Sequence, residues 1–438
     1  MNYLDYAKSA MEFIDTRKKQ GPVGIYWSLA DAAEGRTIYY DEISIYAGAS
    51  GIICFLLGLY DETKEERYLK EAEEAAKYII YRWENDRELK RNFSKYAFSS
   101  GWCGAGFALN NLYQVTKNET YKDTIASIIT QAIADSKKSE DGVGNFWCTY
   151  PGIVGNAGTI LFILKMAETY ENEEWKKFAV DAGRIYLNKG KETGDGGMVY
   201  LGVDPTYFGA GDDYIDPNFP MGTAGIGFTL LKLYDASGDQ VFLDAVEGIP
   251  KYLKRVAVKI KAGKLLPHAF PDRPNMFYLS YCHGPAGTTR FYYELYKHTG
   301  KKEYLDAIET LVQGLEDMGA PKIHSEGYWN VYNVCCGTAG ILNMYLGIWA
   351  ATGEEKYLIQ AKKCGEELTE HAINEGEGTK WRFALDRVAP DVLTTPLGLL
   401  DGAAGIAATL LQLHTAEHGK FHAGRMLDDP FPDHSLSL

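Results

Sequence analysis

Seven times along the chain a Gly-x-x-Gly opens a run of almost wholly apolar residues, and a stretch mixing apolar and charged positions follows. The copies begin at Gly48, Gly101, Gly155, Gly222, Gly284, Gly337 and Gly402. Successive copies are 53 to 67 residues apart, room for two helices and two connections. The fourth copy shows the pattern best. Gly222-Thr223-Ala224-Gly225 leads into Ile226, Phe228, Leu230, Leu231 and Leu233-Tyr234, which predicts a helix apolar nearly all round. Ser237-Gly238-Asp239 breaks it, and Phe242-Leu243, Ala245-Val246 and Tyr252-Leu253 then recur at amphipathic spacing. The fifth and sixth copies repeat this with breakers at Thr299-Gly300 and Thr352-Gly353; the others match more loosely downstream.

A helix apolar on every side must be surrounded by protein, whereas an amphipathic one can face water. Seven such pairs predict an all-α fold, an α/α toroid (a double-layer barrel) of seven inner and seven outer helices. The glycines would permit tight turns and close backbone approach at each inner helix start. Residues just ahead of each motif would border a cavity at one end. One domain spanning residues 1–438 is the expectation.

Reading the motifs in register exposes the candidate chemistry. The residue before the first glycine is Ala47, Ser100, Val154, Met221, His283, Cys336 and Asp401 in turn; one position earlier come Tyr46, Ser99, Ile153, Pro220, Cys282, Cys335 and Leu400. Cys282 and Cys335 hold the same position in adjacent repeats, so the fold should bring them together, and Cys336 adds a third sulfur. Three thiolates with one open position describe a zinc site that leaves room for a substrate ligand. The competing readings are buried apolar cysteines or a Cys282–Cys335 disulfide. Cys54, Cys103, Cys148 and Cys364 read as small buried hydrophobes.

His283, beside the thiols, is a candidate metal ligand, acid–base group or helix cap. His268 and His324 lie in connections ahead of copies five and six that could fold over the mouth. His298, His371, His414, His418, His422 and His434 read as surface or tail residues.

The net charge of −14 argues against nucleic acid, which is bound through clustered Lys and Arg. Seven cysteines are too few and too scattered for a disulfide framework. No apolar run approaches the roughly 18 residues of a membrane span, and the acidic, aromatic N-terminus lacks a secretory pattern. The expected location is cytoplasmic.

At these residues the chain resembles the lanthionine synthetase C-like family, the lantibiotic cyclases and their eukaryotic relatives. The resemblance runs nearly end to end and implies the same toroid. It also implies zinc held by a fifth-motif cysteine and a sixth-motif Cys-His pair: Cys282 and Cys335 match the cysteines, and Cys336 stands where histidine is usual. The Cys282-His283-Gly284 opening is more similar to the eukaryotic members. In the family, zinc lowers the pKa of a substrate thiol that adds to a dehydroalanine or dehydrobutyrine, closing a thioether; the eukaryotic relatives are similar but use glutathione.

The acid–base positions depart from that pattern. Met221 replaces a histidine, Tyr278 an arginine, Pro151 an acid and His283 a tyrosine. Proton transfer then falls to His283, Tyr278 or a nearby acid (Asp212, Asp213, Asp401). The implied partners are a dehydrated precursor peptide or a small thiol such as glutathione, with dehydration by a separate dehydratase. Two alternatives stand beside this enzyme reading. One is a non-catalytic zinc-containing peptide- or thiol-binding protein. The other is a carbohydrate-active α/α barrel using Asp212, Asp213 and Asp216.

Overall fold

The computed structural model describes residues 1–29, 40–90, 94–201, 214–271, 273–421 and 426–435. Each of the seven motifs starts a helix, with its first glycine as the N-cap: Ala49–Thr63, Trp102–Thr116, Asn156–Thr169, Thr223–Ser237, Pro285–Thr299, Thr338–Thr352 and Ala403–Glu417. These inner helices are buried along most of their length; in Thr338–Thr352 only the last turn and Asn343 are not buried.

The glycines act through close approach. A helix start leaves its first N–H groups without intrahelical partners. Here the loop ahead folds back and offers a carbonyl: Asp216 O accepts from Thr223 N at 2.8 Å, Glu42 O from Ala49 N at 2.7 Å, and Pro396 O from Ala403 N at 2.9 Å. The N-cap glycines all have negative φ, and all but Gly155 are extended. A β-carbon on Gly222 would fall 2.0 Å from Asp216 O, and one on Gly284 2.6 Å from Tyr278 O, so any side chain would push the loop away.

The breakers at Gly238, Gly300 and Gly353 are left-handed C-caps with φ of 68°, 64° and 71°. Outer helices follow at Glu66–Asn85, Glu119–Ala134, Glu173–Gly183, Lys302–Met318 and Glu355–Glu370. The fourth outer helix is interrupted, as Gln240–Val246 and Ile249–Val256. Pro250 lacks the donor a continuous helix needs, and the Gly248 carbonyl accepts from both Tyr252 N at 3.1 Å, inside the second segment, and Met198 N at 2.9 Å. The seventh inner helix takes its partner from the other end of the chain, Tyr3–Asp15, which packs on Ala403–Glu417.

The described residues also hold seven two-stranded antiparallel hairpins of two or three residues per strand, too short to register as a period in the sequence.

The chain forms two compact units. One comprises Met1–Thr130, Trp329–Gly424 and Phe431–Leu438. In it, Trp102–Thr116 packs on Ala49–Thr63, which packs on Ala403–Glu417, which packs on Thr338–Thr352. The other comprises Gln131–Tyr328 and Arg425–Pro430; there Asn156–Thr169 and Pro285–Thr299 both pack on Thr223–Ser237.

Candidate metal centre

In the first unit the register read from the sequence exists as a chain of hydrogen bonds. Cys335 N donates to Leu400 O at 2.9 Å, Leu400 N to Tyr46 O at 2.8 Å, and Tyr46 N to Ser99 O at 3.0 Å. All four residues occupy the second position before their motif, so each repeat's loop hangs on the next. In the second unit Val154 N donates to Pro220 O at 3.1 Å, offset by one residue.

The sixth-motif loop therefore places its thiols by backbone. Asn333 Oδ1 accepts from Cys336 N at 2.8 Å, and its Nδ2 donates to Asp401 O at 3.3 Å. The Cys335 and Cys336 sulfurs lie 3.6 Å apart. Tyr40 stacks on Tyr46 with ring centroids 4.1 Å apart. Burial first, and then negative charge on Cys335, raises both phenols well above their ordinary pKa. Both stay protonated at neutral pH. Asp401 bears on the same tyrosines.

The fifth-motif loop is built from side chains. His283 Nδ1 stands 2.8 Å from Oδ2 of Asp216, which is fully buried. Asp216 Oδ1 accepts from Asn218 N at 2.7 Å, and Asn218 Nδ2 reaches Pro267 O at 2.9 Å, tying this loop to the one that carries His268. His268 is 4% exposed and stacks on His283 with centroids 4.0 Å apart. Tyr278 meets both imidazoles edge-on, at 5.4 Å from His283 and 4.5 Å from His268.

Cys335 and Cys336, in the first unit, bring two sulfurs together, and Cys282, in the second, holds the matching position of the neighbouring motif. All seven cysteines are free, so the disulfide alternative for Cys282 and Cys335 is not realised. Cys103 and Cys364 are fully buried as expected, while Cys54 and Cys148 are half-buried.

His283 and Tyr278 come together as candidates, and Asp401 lies with the sixth-motif groups. Asp212, Asp213 and His422 fall outside the described residues. His324 stacks on Tyr328, with ring centroids 5.2 Å apart. His298, expected at the surface, has a side chain only 12% exposed, in an ion-pair network with Asp235 and Glu294.

Tyr40 beside Cys335 and Asp216 beside His283 were missed. Tyr46 carried a signal, because it shares the register position of Cys335. Asp216 carried none, since six residues separate it from its motif and its target is on another repeat.

The paired helices make an all-α fold shared with solved α/α proteins, and the cysteines of the fifth and sixth motifs are candidate metal ligands. A solved structure with the same fold is "Nisin cyclase", at 15% identity and TM-score 0.64, covering 87% of this chain and 90% of that one. The Lin0763 protein from Listeria innocua is similar at 12% identity and TM-score 0.54, over 96% and 99% of the two chains. A D-mannose isomerase is similar at 14% identity and TM-score 0.50, over 94% and 96%. The family model described as lanthionine synthetase C-like protein matches residues 2–199 and 218–423, and the chain belongs to that family. No helix among the described residues is long and apolar enough to cross a membrane.

Proposed function

We propose that this protein is a zinc-dependent enzyme that activates a thiol for addition to a dehydroamino acid. The observation that carries the reading is the adjoining sulfurs of Cys335 and Cys336 in a chain of this family, with Cys282 at the matching position of the neighbouring motif as the third sulfur of the proposed site. The donor set fits the metal. Tetrahedral zinc with bonds of about 2.3 Å sets sulfur–sulfur distances of about 3.8 Å. Cys335 and Cys336 stand at 3.6 Å already. Three protein ligands leave a fourth position for substrate, and a zinc ion there would act as a Lewis acid that lowers the pKa of an incoming thiol.

The residues around it handle the proton. In the overall reaction the S–H adds across the Cα=Cβ bond: the C–S bond forms at Cβ, and a proton ends on Cα. With Nδ1 of His283 held against the Asp216 carboxylate, Nε2 is the ring nitrogen left for proton exchange. His268 and Tyr278 fix the ring plane by stacking and edge contact. His283 thereby supplies an acid–base group where Met221 and Tyr278 replace those the family resemblance implies. Tyr40 and Tyr46 add neutral hydroxyl donors beside Cys335.

The substrates that suit this chemistry are a dehydrated peptide with free cysteines, or a dehydrated acceptor with a small thiol such as glutathione. Metal analysis of the purified protein, followed by incubation with each and thiol-trapping mass spectrometry, tests the reading. Zinc and protein-dependent loss of free thiol are expected. Zinc with no thiol loss above a protein-free control would leave a zinc-containing binding protein. Absence of zinc would overturn both.

A further inference from the structure

The fifth-motif loop has a support from outside the repeat. Asp428, well past the seventh motif, is 2% exposed. Its Oδ2 accepts from the Tyr281 hydroxyl at 2.5 Å and lies 3.1 Å from Nη1 of Arg290. The same Nη1 donates to the Asp428 carbonyl at 3.4 Å, and the guanidinium stands over the Tyr281 ring, 4.9 Å from its centroid. Arg290 is 7% exposed and sits in the second turn of the Pro285–Thr299 helix. A guanidinium buried so deeply needs a counter-charge held close, and the Asp428 carboxylate supplies one.

The placement of these partners gives the contact its meaning. Tyr281 immediately precedes Cys282, and Arg290 belongs to the helix that the same motif starts. One carboxylate thus ties the residue ahead of the thiol to the helix behind it. Residue 428 also lies beyond residues 2–199 and 218–423, the part of the chain that the family model matches. The backbone ladder that places Cys335 is built from repeat positions, whereas this clasp comes from a segment outside that match.

We propose that Asp428 is a positioning residue, which fixes the Cys282 thiol through Tyr281 and Arg290. Its purpose rests on the zinc reading above, but its geometry can be tested without zinc or substrate. Charge, shape and hydrogen bonding separate in two variants. Asp428→Asn removes the carboxylate paired with Arg290, leaving only the weaker influence of Asp429, and keeps the side-chain shape. Tyr281→Phe removes one hydroxyl and leaves the Asp428–Arg290 pair intact.

The test is alkylation of the metal-free full-length protein by iodoacetamide, with each cysteine followed by peptide mass spectrometry. Cys103 and Cys364, both fully buried, serve as internal gauges of general loosening. Both variants should speed the labelling of Cys282 several-fold while Cys103 and Cys364 keep their wild-type rates. In the zinc-loaded protein, competition with a chromogenic chelator should show binding weakened about tenfold, as when orienting partners of metal ligands are lost. Unchanged Cys282 labelling would overturn the proposal. So would labelling that rises only in step with Cys103 and Cys364, because Asp428 would then merely hold the fold. A wild-type protein without thiol-addition activity would refute the proposed reaction and leave this measurement standing.

Discussion

The fifth and sixth motif loops share one template, yet different forces hold their cysteines. Around Cys335 and Cys336 the work is done by main chain: Cys335 hangs on Leu400, Leu400 on Tyr46, and Asn333 braces Cys336. Around Cys282 it is done by buried carboxylates. Asp216 faces His283, and Asp428 takes Tyr281 and Arg290. Residues 216 and 428 both fall outside the stretches that match the family model. A loop held by backbone depends on the repeat alone and tolerates side-chain change. A loop held by charged side chains from distant segments can be retuned by single substitutions. Under the proposed function, the sixth motif would be the fixed part of the site and the fifth the adjustable part that carries proton chemistry.

The largest test of that division compares one residue from each loop. Cys335→Ala should abolish zinc binding and thiol addition together, whereas His283→Asn should retain zinc and lower the rate by about 10²- to 10⁴-fold. Metal analysis alongside steady-state rates decides it; loss of zinc from His283→Asn would make the imidazole a ligand and end the comparison. Asp216→Asn comes next. It should slow thiol addition by about 10- to 100-fold with zinc retained, because an amide no longer matches the Nδ1 it faces. A rate equal to wild type would show that Asp216 only caps its loop.

Smaller still is the effect expected of Cys336→His. A three-sulfur site puts more negative charge on the metal than one with an imidazole, so a bound thiol should be more nucleophilic in the native protein. The variant should be a few-fold slower at equal zinc occupancy. An unchanged or faster variant would sink that idea.

The smallest effect lies at the far end of the fifth inner helix, where charge serves stability. Hydrogen bonds that His298 donates to Asp235 and Glu294 raise its pKa from 6.5 to about 9. Burial opposes ionisation of Glu294, but the His298 hydrogen bond and the charges of Lys232 and Lys297 win, holding it at about 2 instead of 4.5. His298 therefore stabilises the fold fully below pH 6.5, and its contribution is lost as pH rises through about 9. The contribution of Glu294 is present above pH 4.5 and lost as pH falls through about 2. Thermal melts should show wild type losing stability between pH 7 and 10 more steeply than His298→Gln. Parallel curves would mean that the network is inert.

Much of this was legible in the chain. All seven N-cap glycines, the breakers at Gly238, Gly300 and Gly353, and the shared motif position of Cys282 and Cys335 follow from the repeat. The interrupted fourth outer helix had its cause in view at Gly248 and Pro250, but a period summed over a long window averages such a break away. The partner of the seventh inner helix could not be read forward, because it is the first helix of the chain.

By itself, then, the sequence determined the repeat and the class of fold and marked three cysteines as candidate metal ligands, because these depend on residues at fixed intervals along one chain. Only the tertiary structure decided what surrounds those sulfurs. Asp216 faces an imidazole more than sixty residues away in sequence, His268 lies flat on the same ring, and Asp428 reaches back to Tyr281 across 147 positions. Such contacts have no period. A buried charge pairs with whatever counter-charge the packed chain brings within reach, and distance along the sequence does not limit that choice.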